Sequence, residues 1–234
     1  MDFTALSANL RTVEDEIARV QAHEGLGSDV RVIAVTKGHP LEFVQAAAAA
    51  GMVEVGENRV REALSKQDAA PNLNVSWHLI GHLQSNKAKH IPGRFALVHS
   101  VDSVRIAEAL ARSASRRSEA EAEGPLEVLI QVNVGKEPQK NGCEPETAGQ
   151  LASYVAETPS LAVRGLMTMA PFGNDEREQR KVFEALRLLR DKLEKEGLKL
   201  PELSMGMSND YRAAVAEGAT ILRLGTVLFG ERVV

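Results

Sequence analysis

Along this whole chain, runs rich in β-branched and aliphatic residues alternate with segments of helical periodicity, and that alternation points to a parallel α/β fold. Strand-like runs lie at about 30–37, 52–56, 75–81, 95–100, 126–134, 162–170, 202–207 and 220–225. Helical patterns fall between them at 40–50, 57–67, 84–90, 103–121, 145–157, 175–196 and 209–217. A further helix, 2–23, opens the chain with Leu6, Leu10, Val13, Ile17 and Val20 at helical spacing. The 175–196 pattern is the clearest. Val182, Phe183, Leu186, Leu189 and Leu193 form one stripe, Gly197 lies just past its end, and Pro201 keeps it from resuming. The run from Leu126 to Val132 is almost continuously apolar, as parallel strands covered on both faces are. Eight strands separated by seven helices in 234 residues is the count of a (β/α)8 TIM barrel. An open doubly wound sheet would advertise a glycine-rich turn after its first strand, and no G-x-G-x-x-G occurs there. No linker or composition shift divides the chain, and the charged stretch 113–123 reads as a solvated helix end and loop. The expectation is one barrel domain over 1–234 with an extra N-terminal helix.

Composition narrows the partners. The 28 basic and 32 acidic residues leave a formal net charge of −4, without the basic footprint of a nucleic-acid binder. The most apolar stretch, Val44 to Val55, is short and interrupted by Gly51 and Glu54, too poor for a membrane span. A single cysteine, Cys143, excludes an intramolecular disulfide and suits a reducing compartment. The start Met1-Asp2-Phe3-Thr4 has no apolar signal-peptide core. A cytoplasmic globular protein is expected.

In a barrel the chemistry gathers at the carboxyl ends of the strands. Strand one ends in Thr36-Lys37 before Gly38-His39-Pro40, and a lysine there either closes the strand at the surface or forms a Schiff base with an aldehyde. Strand seven runs into Ser204-Met205-Gly206-Met207-Ser208-Asn209-Asp210, where Ser208 either caps the next helix or joins its N–H groups in an anion site. Strand eight gives Arg223-Leu224-Gly225-Thr226: Gly225 lets the backbone approach a ligand, and Thr226 adds a hydroxyl. Two small polar turns on neighbouring strands make a phosphate cup without a P-loop. Arg223 sits inside an apolar strand on the face of Gly225 and needs an acceptor, either a barrel carboxylate or a ligand atom. His78 and His82 have helical metal-pair spacing but lie on a strand, where that spacing does not converge on one ion. Without a dense ligand cluster, no metal is expected. Without a G-x-S-x-G elbow, a hydrolase triad has no anchor. Trp77 and the pair Met167 and Met169 read as core.

From Val30 to Arg232 a series of motifs runs in order. These are Val35-Thr36-Lys37, Gly56-Glu57-Asn58, Trp77 to Lys87 (WHLIGHLQSNK), His99-Ser100-Val101-Asp102, Gln131-Val132-Asn133, the loop Glu137 to Gly142 (EPQKNG), Gly165 to Met169, Ser204 to Asp210, and Arg223 to Gly230. Together they resemble the pyridoxal-5′-phosphate (PLP) homeostasis protein family, relatives of the barrel domain of alanine racemase. The resemblance implies a PLP-binding barrel with Lys37 as the Schiff-base tether, Ser208 and Gly225-Thr226 at the phosphate, Arg223 near the pyridine nitrogen, and Asn58 lining the cofactor. It implies no catalytic residue: the family binds PLP without an established turnover and supports vitamin B6 balance. Arg212, where many relatives carry an acidic residue, is a mild departure outside the matched motif. In alanine racemases the second base is a tyrosine from a further domain, and none is expected here. Tyr154 falls in an outer helix, and Tyr211, just past the phosphate turn, could serve as a base but is expected to pack or face solvent. An arginine at the pyridine nitrogen disfavours its protonation. Three readings follow: a non-catalytic PLP carrier, a low-efficiency PLP-dependent racemase, or an interaction protein for PLP-dependent apoenzymes. A monomer is expected, with neither nucleic acid nor membrane as partner.

Overall fold

The computed structural model describes residues 3–116, 124–135, 141–171, 173 and 175–231. Residue 2 of the expected opening helix, residues 117–121 of the expected helix 103–121, and Glu137 to Lys140 of the motif loop lie outside them. Strands β1 (Arg31–Val35), β2 (Glu54–Glu57), β3 (Ser76–Leu79), β4 (Leu97–Val101), β5 (Leu126–Gln131), β6 (Leu161–Met167), β7 (Glu202–Ser204) and β8 (Ile221–Leu224) pair in sequence order. All neighbours are parallel, and β8 returns to β1 in the register Arg31↔Ile221 through Ala34↔Leu224, so the sheet closes into a barrel. The expected fold class is the observed one. The strands are shorter than the apolar runs that announced them, because the rim residues of those runs leave the ladder to form loops.

Helices α2 (Leu41–Ala49), α3 (Val60–Ala69), α4 (Val104–Ala114), α5 (Pro145–Ala156), α6 (Glu176–Lys195) and α7 (Tyr211–Ala216) follow successive strands. Between β3 and β4 the connection Ser85–His90 is a 3₁₀ turn of six residues, not the α-helix expected at 84–90. So short a segment offers few intrahelical bonds and takes the tighter winding. The helix α1 (Leu6–Glu24) buries Leu6, Val13 and Ile17 and packs on α7 and on the final short helix α8 (Thr226–Phe229). It is tied there by Asn9 Nδ2 donating to the Leu228 carbonyl (2.9 Å) and by Arg212 on Glu16 (2.7 Å).

Helix α6 shows how the sequence makes one element. Asp175 caps it by accepting from the N–H groups of Arg177 and Glu178, and its buried stripe carries Phe183, Leu186 and Leu193. Each of these side chains contributes about 1.5–3 kcal/mol of apolar burial. The helix stops before Gly197, whose φ of +104° suits glycine and would strain other residues.

The barrel has two cores. Most apolar side chains fill the space between strands and helices, whereas Ile33, Leu97, Leu129, Met167 and Ile221 form a separate cluster inside the barrel. The interior is not wholly apolar, because strand alternation also sends His99 and Arg223 inward from β4 and β8. His78, His99, Ser204 and Arg223 are all buried there. Below them Arg31 bridges Glu54 (2.7 Å) and Glu202 (2.8 Å) at the amino ends of the strands.

Burial pushes the His78 pKa down to about 3, and burial with nearby His78, Arg223 and Arg31 pushes His99 well below its ordinary value. Both rings are therefore neutral when folded, while in the unfolded chain they take up protons below about pH 6.5. Stability is fully present above that pH and falls as pH drops from 6.5 towards 3, by up to about 1.4 kcal/mol per pH unit for each ring. Urea unfolding from pH 8 to 5 should show this fall, and His78→Gln should remove about half of the slope, as expected for one of two such rings.

Candidate functional site

At the carboxyl rim of the barrel lies a cleft of about 390 Å³ that Lys37, Asn58, Ser208, Arg223, Gly225 and Thr226 all help to line. These are the residues that the sequence put forward, drawn from β1, β2, β7 and β8 and their loops. A cleft at the strand carboxyl ends is where barrels bind ligands.

Lys37 stands half-buried on the turn after β1, and its flanks are anchored from behind. Lys66 of α3 donates to the Thr36 carbonyl (2.9 Å), to Glu57 Oε1 (2.6 Å) and to Glu62 Oε1 (3.2 Å). The Thr36 hydroxyl donates to the same Glu57 oxygen (2.7 Å), and the Gly38 N–H donates to Glu62. The residues on both sides of Lys37 are thus fixed to β2 and α3. Glu57 is fully buried; burial pushes its pKa up, against the pull of Lys66 and Thr36. Lys66 and Glu57 went unassigned in the sequence. A signal existed: Lys66 falls on the buried face of α3 beside Val60, Ala63 and Gln67, where a charge needs a partner.

At the other end of the cleft, Ser208 does something other than cap a helix. Helix α7 begins only at Tyr211, and no side chain caps it. The Ser208 hydroxyl instead accepts from the backbone N–H groups of Gly225 (3.3 Å) and Val227 (3.1 Å), joining the β7 and β8 turns into one cup. Asp210, from the same turn, accepts from the Met207 N–H. Thr226 opens α8, where a first-turn amide has no intrahelical acceptor. At Gly225 a Cβ would come within 3.3 Å of the Val35 carbonyl oxygen, so glycine lets the β8 turn lie against the end of β1.

Arg223 is buried, and its acceptors are neutral: Nη1 donates to Ser204 Oγ (2.7 Å) and Nη2 to the Thr168 carbonyl (2.9 Å). The carboxylate that a buried arginine usually requires is not its hydrogen-bond partner here. Burial lowers its pKa to about 10, with Asp210 opposing, so it stays cationic at neutral pH.

Other residues complete the wall. The turn after β3 lies directly against Asn58, so closely that a Cβ at Gly81 would overlap the Asn58 backbone. His82 lines the cleft with Nδ1 at 3.4 Å from Asp102, whereas His78 points to His99 in the barrel interior. The two histidines therefore part company, and no metal-binding cluster occurs among the described residues. Met169 lines the cleft instead of lying wholly in the core, while Trp77 and Met167 are buried. Tyr211 packs in the core outside the cleft walls, and burial raises its pKa. Tyr154 packs against the core from α5. Cys143 is partly buried, and burial pushes its thiol up to about 11.

Known proteins share this arrangement of chain. Residues 4–233 match the family model for the alanine racemase N-terminal domain. The pyridoxal phosphate homeostasis protein of Aquifex aeolicus is 40% identical over 225 residues, covering 95% of this chain and 96% of the relative. That of Pseudomonas aeruginosa is 42% identical over 233 residues, covering 95% and 97%. The structure of PipY from Synechococcus elongatus with PLP bound is similar with a TM-score of 0.78 and 39% identity, covering 92% of this chain and 100% of that one.

The Lys66–Glu57 pair is 8% and 0% exposed at its side chains, so removing one partner strands a buried charge. Lys66→Met should lower the unfolding free energy by about 3–5 kcal/mol in urea titrations, and the double change Lys66→Met with Glu57→Leu should recover much of it.

Proposed function

Since the chain belongs to the pyridoxal phosphate homeostasis protein family and carries the alanine racemase N-terminal domain over residues 4–233, we propose that it holds PLP on Lys37 and serves vitamin B6 homeostasis as a carrier. The observation that carries this reading is the convergence, in one cleft, of an amine on β1 with a hydroxyl-and-amide cup on the β7 and β8 turns. An aldehyde at one end of a ligand and a phosphate at the other match those two ends.

The residues fit the group. Lys37 would supply the tether, the Ser208 and Thr226 hydroxyls and the Thr226 amide would supply donors for a phosphate, Gly225 would let the turn approach it closely, Asn58 lines the wall, and Arg223 would offer a cationic donor to a ring nitrogen. When bound, PLP supplies an electrophilic aldehyde and a conjugated ring that can spread negative charge. Arg223 keeps its own proton at neutral pH and would donate to such a nitrogen without protonating it, which would weaken the ring as an electron sink. Tyr211, the tyrosine nearest in sequence to the cup, lies outside the cleft walls and does not provide an opposing base there. Both features support holding over turnover; PLP-dependent apoenzymes are the proposed recipients. The large exposed apolar residues among those described, Val53, Val104 and Leu188, come from different parts of the chain, which supports a monomer, and the proposed setting is the cytoplasm.

Recombinant protein should take up PLP and show a visible absorption band that borohydride fixes onto the peptide containing Lys37. Lys37→Ala should lose the band, and Ser208→Ala should weaken retention about tenfold. Colourless wild-type protein that takes up no added PLP defeats the reading. Incubated with L- or D-alanine in deuterated water, the loaded protein should exchange the Cα proton no faster than free PLP. Faster, Lys37-dependent exchange would establish an enzyme.

A further inference from the structure

Arg223 heads a chain of buried hydrogen-bonding groups that runs down the barrel interior, and satisfying each donor in turn gives the chain a direction. A guanidinium only donates, so Ser204 Oγ accepts from Nη1 at 2.7 Å. The serine proton is then directed to its other neighbour, His99 Nδ1, at 2.8 Å. His99 Nδ1 is the one acceptor within reach of that hydroxyl among the described contacts, so the arrangement that satisfies the serine proton leaves this nitrogen bare. His99 is neutral in its fully buried position, so its one ring proton sits on Nε2 and points to His78 Nδ1, 3.1 Å away. By the same logic His78 carries its proton on Nε2. There the chain stops: His78 Nε2 is buried without a hydrogen-bond partner, and Glu54 Oε1 lies 3.9 Å off, held by Arg31.

This series of buried polar groups has no reason in apolar packing. Beside it the barrel interior is filled by Ile33, Leu97, Leu129, Met167 and Ile221. Desolvating two imidazoles and leaving one N–H unpaired costs stability. What the series does is leave Arg223 no rotational choice. One nitrogen is committed to Ser204, the other to the Thr168 carbonyl, and the side chain so held lines the cleft.

We propose that Ser204, His99 and His78 are positioning residues for Arg223, a one-directional hydrogen-bond relay that aims its remaining N–H donors at the ring nitrogen of bound PLP. The proposal rests on the cofactor reading given above. The charged and titratable groups around the relay are Arg223 and Asp210 at its upper end and Arg31, Glu54 and Glu202 at its lower end.

Nitrogen-15 NMR of histidine-labelled protein without added PLP tests the relay by itself. Both rings should be neutral from pH 6 to 8, with protonated Nε2 and bare Nδ1. Ser204→Ala should let the pair exchange tautomers, and Ser204→Thr should restore the single form. A proton on His99 Nδ1, or a charged ring, overturns the relay without bearing on the cofactor. With PLP added, Ser204→Ala and His99→Phe should each weaken retention about tenfold and shift the absorption band, with Ser204→Thr close to wild type. Unchanged affinity and spectrum in both variants overturn the positioning role even if the tautomers are as drawn. Wild-type protein that takes up no PLP overturns the cofactor reading and that role together, leaving the nitrogen spectrum to judge the geometry.

Discussion

Pairing of β8 with β1 is the constraint on which the site depends. It places Leu224 opposite Ala34, and so sets the turn that carries Gly225 and Thr226 beside the turn that carries Lys37, although the two lie at opposite ends of the chain. Parallel strands need long crossovers, so each connection is a helix or, after β3, a 3₁₀ turn, and every strand delivers its carboxyl end to the same rim. Helix α1 reinforces the closure from outside by packing on α7 and α8, the elements that follow the cup. The cleft is a consequence of closure: an open sheet with the same strands would separate amine from cup.

The rim is also stiffened from within. Thr36 and Gly38, on either side of Lys37, are held by the Glu57–Lys66–Glu62 cluster, and the cup is held by the Ser208 hydroxyl across two turns. A buried ion pair is weak evidence of net stability, because desolvation offsets much of its attraction. Its clearer contribution is geometric. It specifies where the end of β1 must stand relative to α3, and with it the amine.

How much of this was legible in the sequence depends on the range of the interaction. The barrel followed from periodicity, which is local. Lys37, Ser208, Arg223, Gly225 and Thr226 followed from strand ends, because a barrel maps sequence position onto height along its axis. The actual partners did not follow. That Ser208 bridges to Gly225 and Val227 instead of capping α7, and that Arg223 bonds to Ser204 and Thr168 instead of a carboxylate, are facts about contact across strands. His99 lies within a quoted motif, but its ring protons are determined by neighbours on β3 and β7 that no local pattern relates to it. Strand limits were overdrawn for a similar reason. An apolar run continues into a rim loop that is itself buried, as at Val132, Thr168 and Met205.

The two buried cations near the rim are treated in opposite ways, and the contrast says what the cleft selects. Lys66 has its charge cancelled by Glu57 and Glu62 within 3.2 Å, so it shapes the wall and presents little field to a ligand. Arg223 has only a hydroxyl and a carbonyl as direct acceptors, with Asp210 acting at longer range. Its charge is therefore poorly compensated inside the protein, and burial already lowers its pKa to about 10. In a low-dielectric site such a charge interacts strongly with whatever enters. On the reading proposed above, a ligand that brings an acceptor lone pair to Arg223 and an anion to the cup would be stabilised at both points, while one that brings a cation or a second donor would meet an unfavourable field. The fold thus fixes a poorly compensated positive charge beside the cleft, and a group that enters next to Arg223 has to answer it.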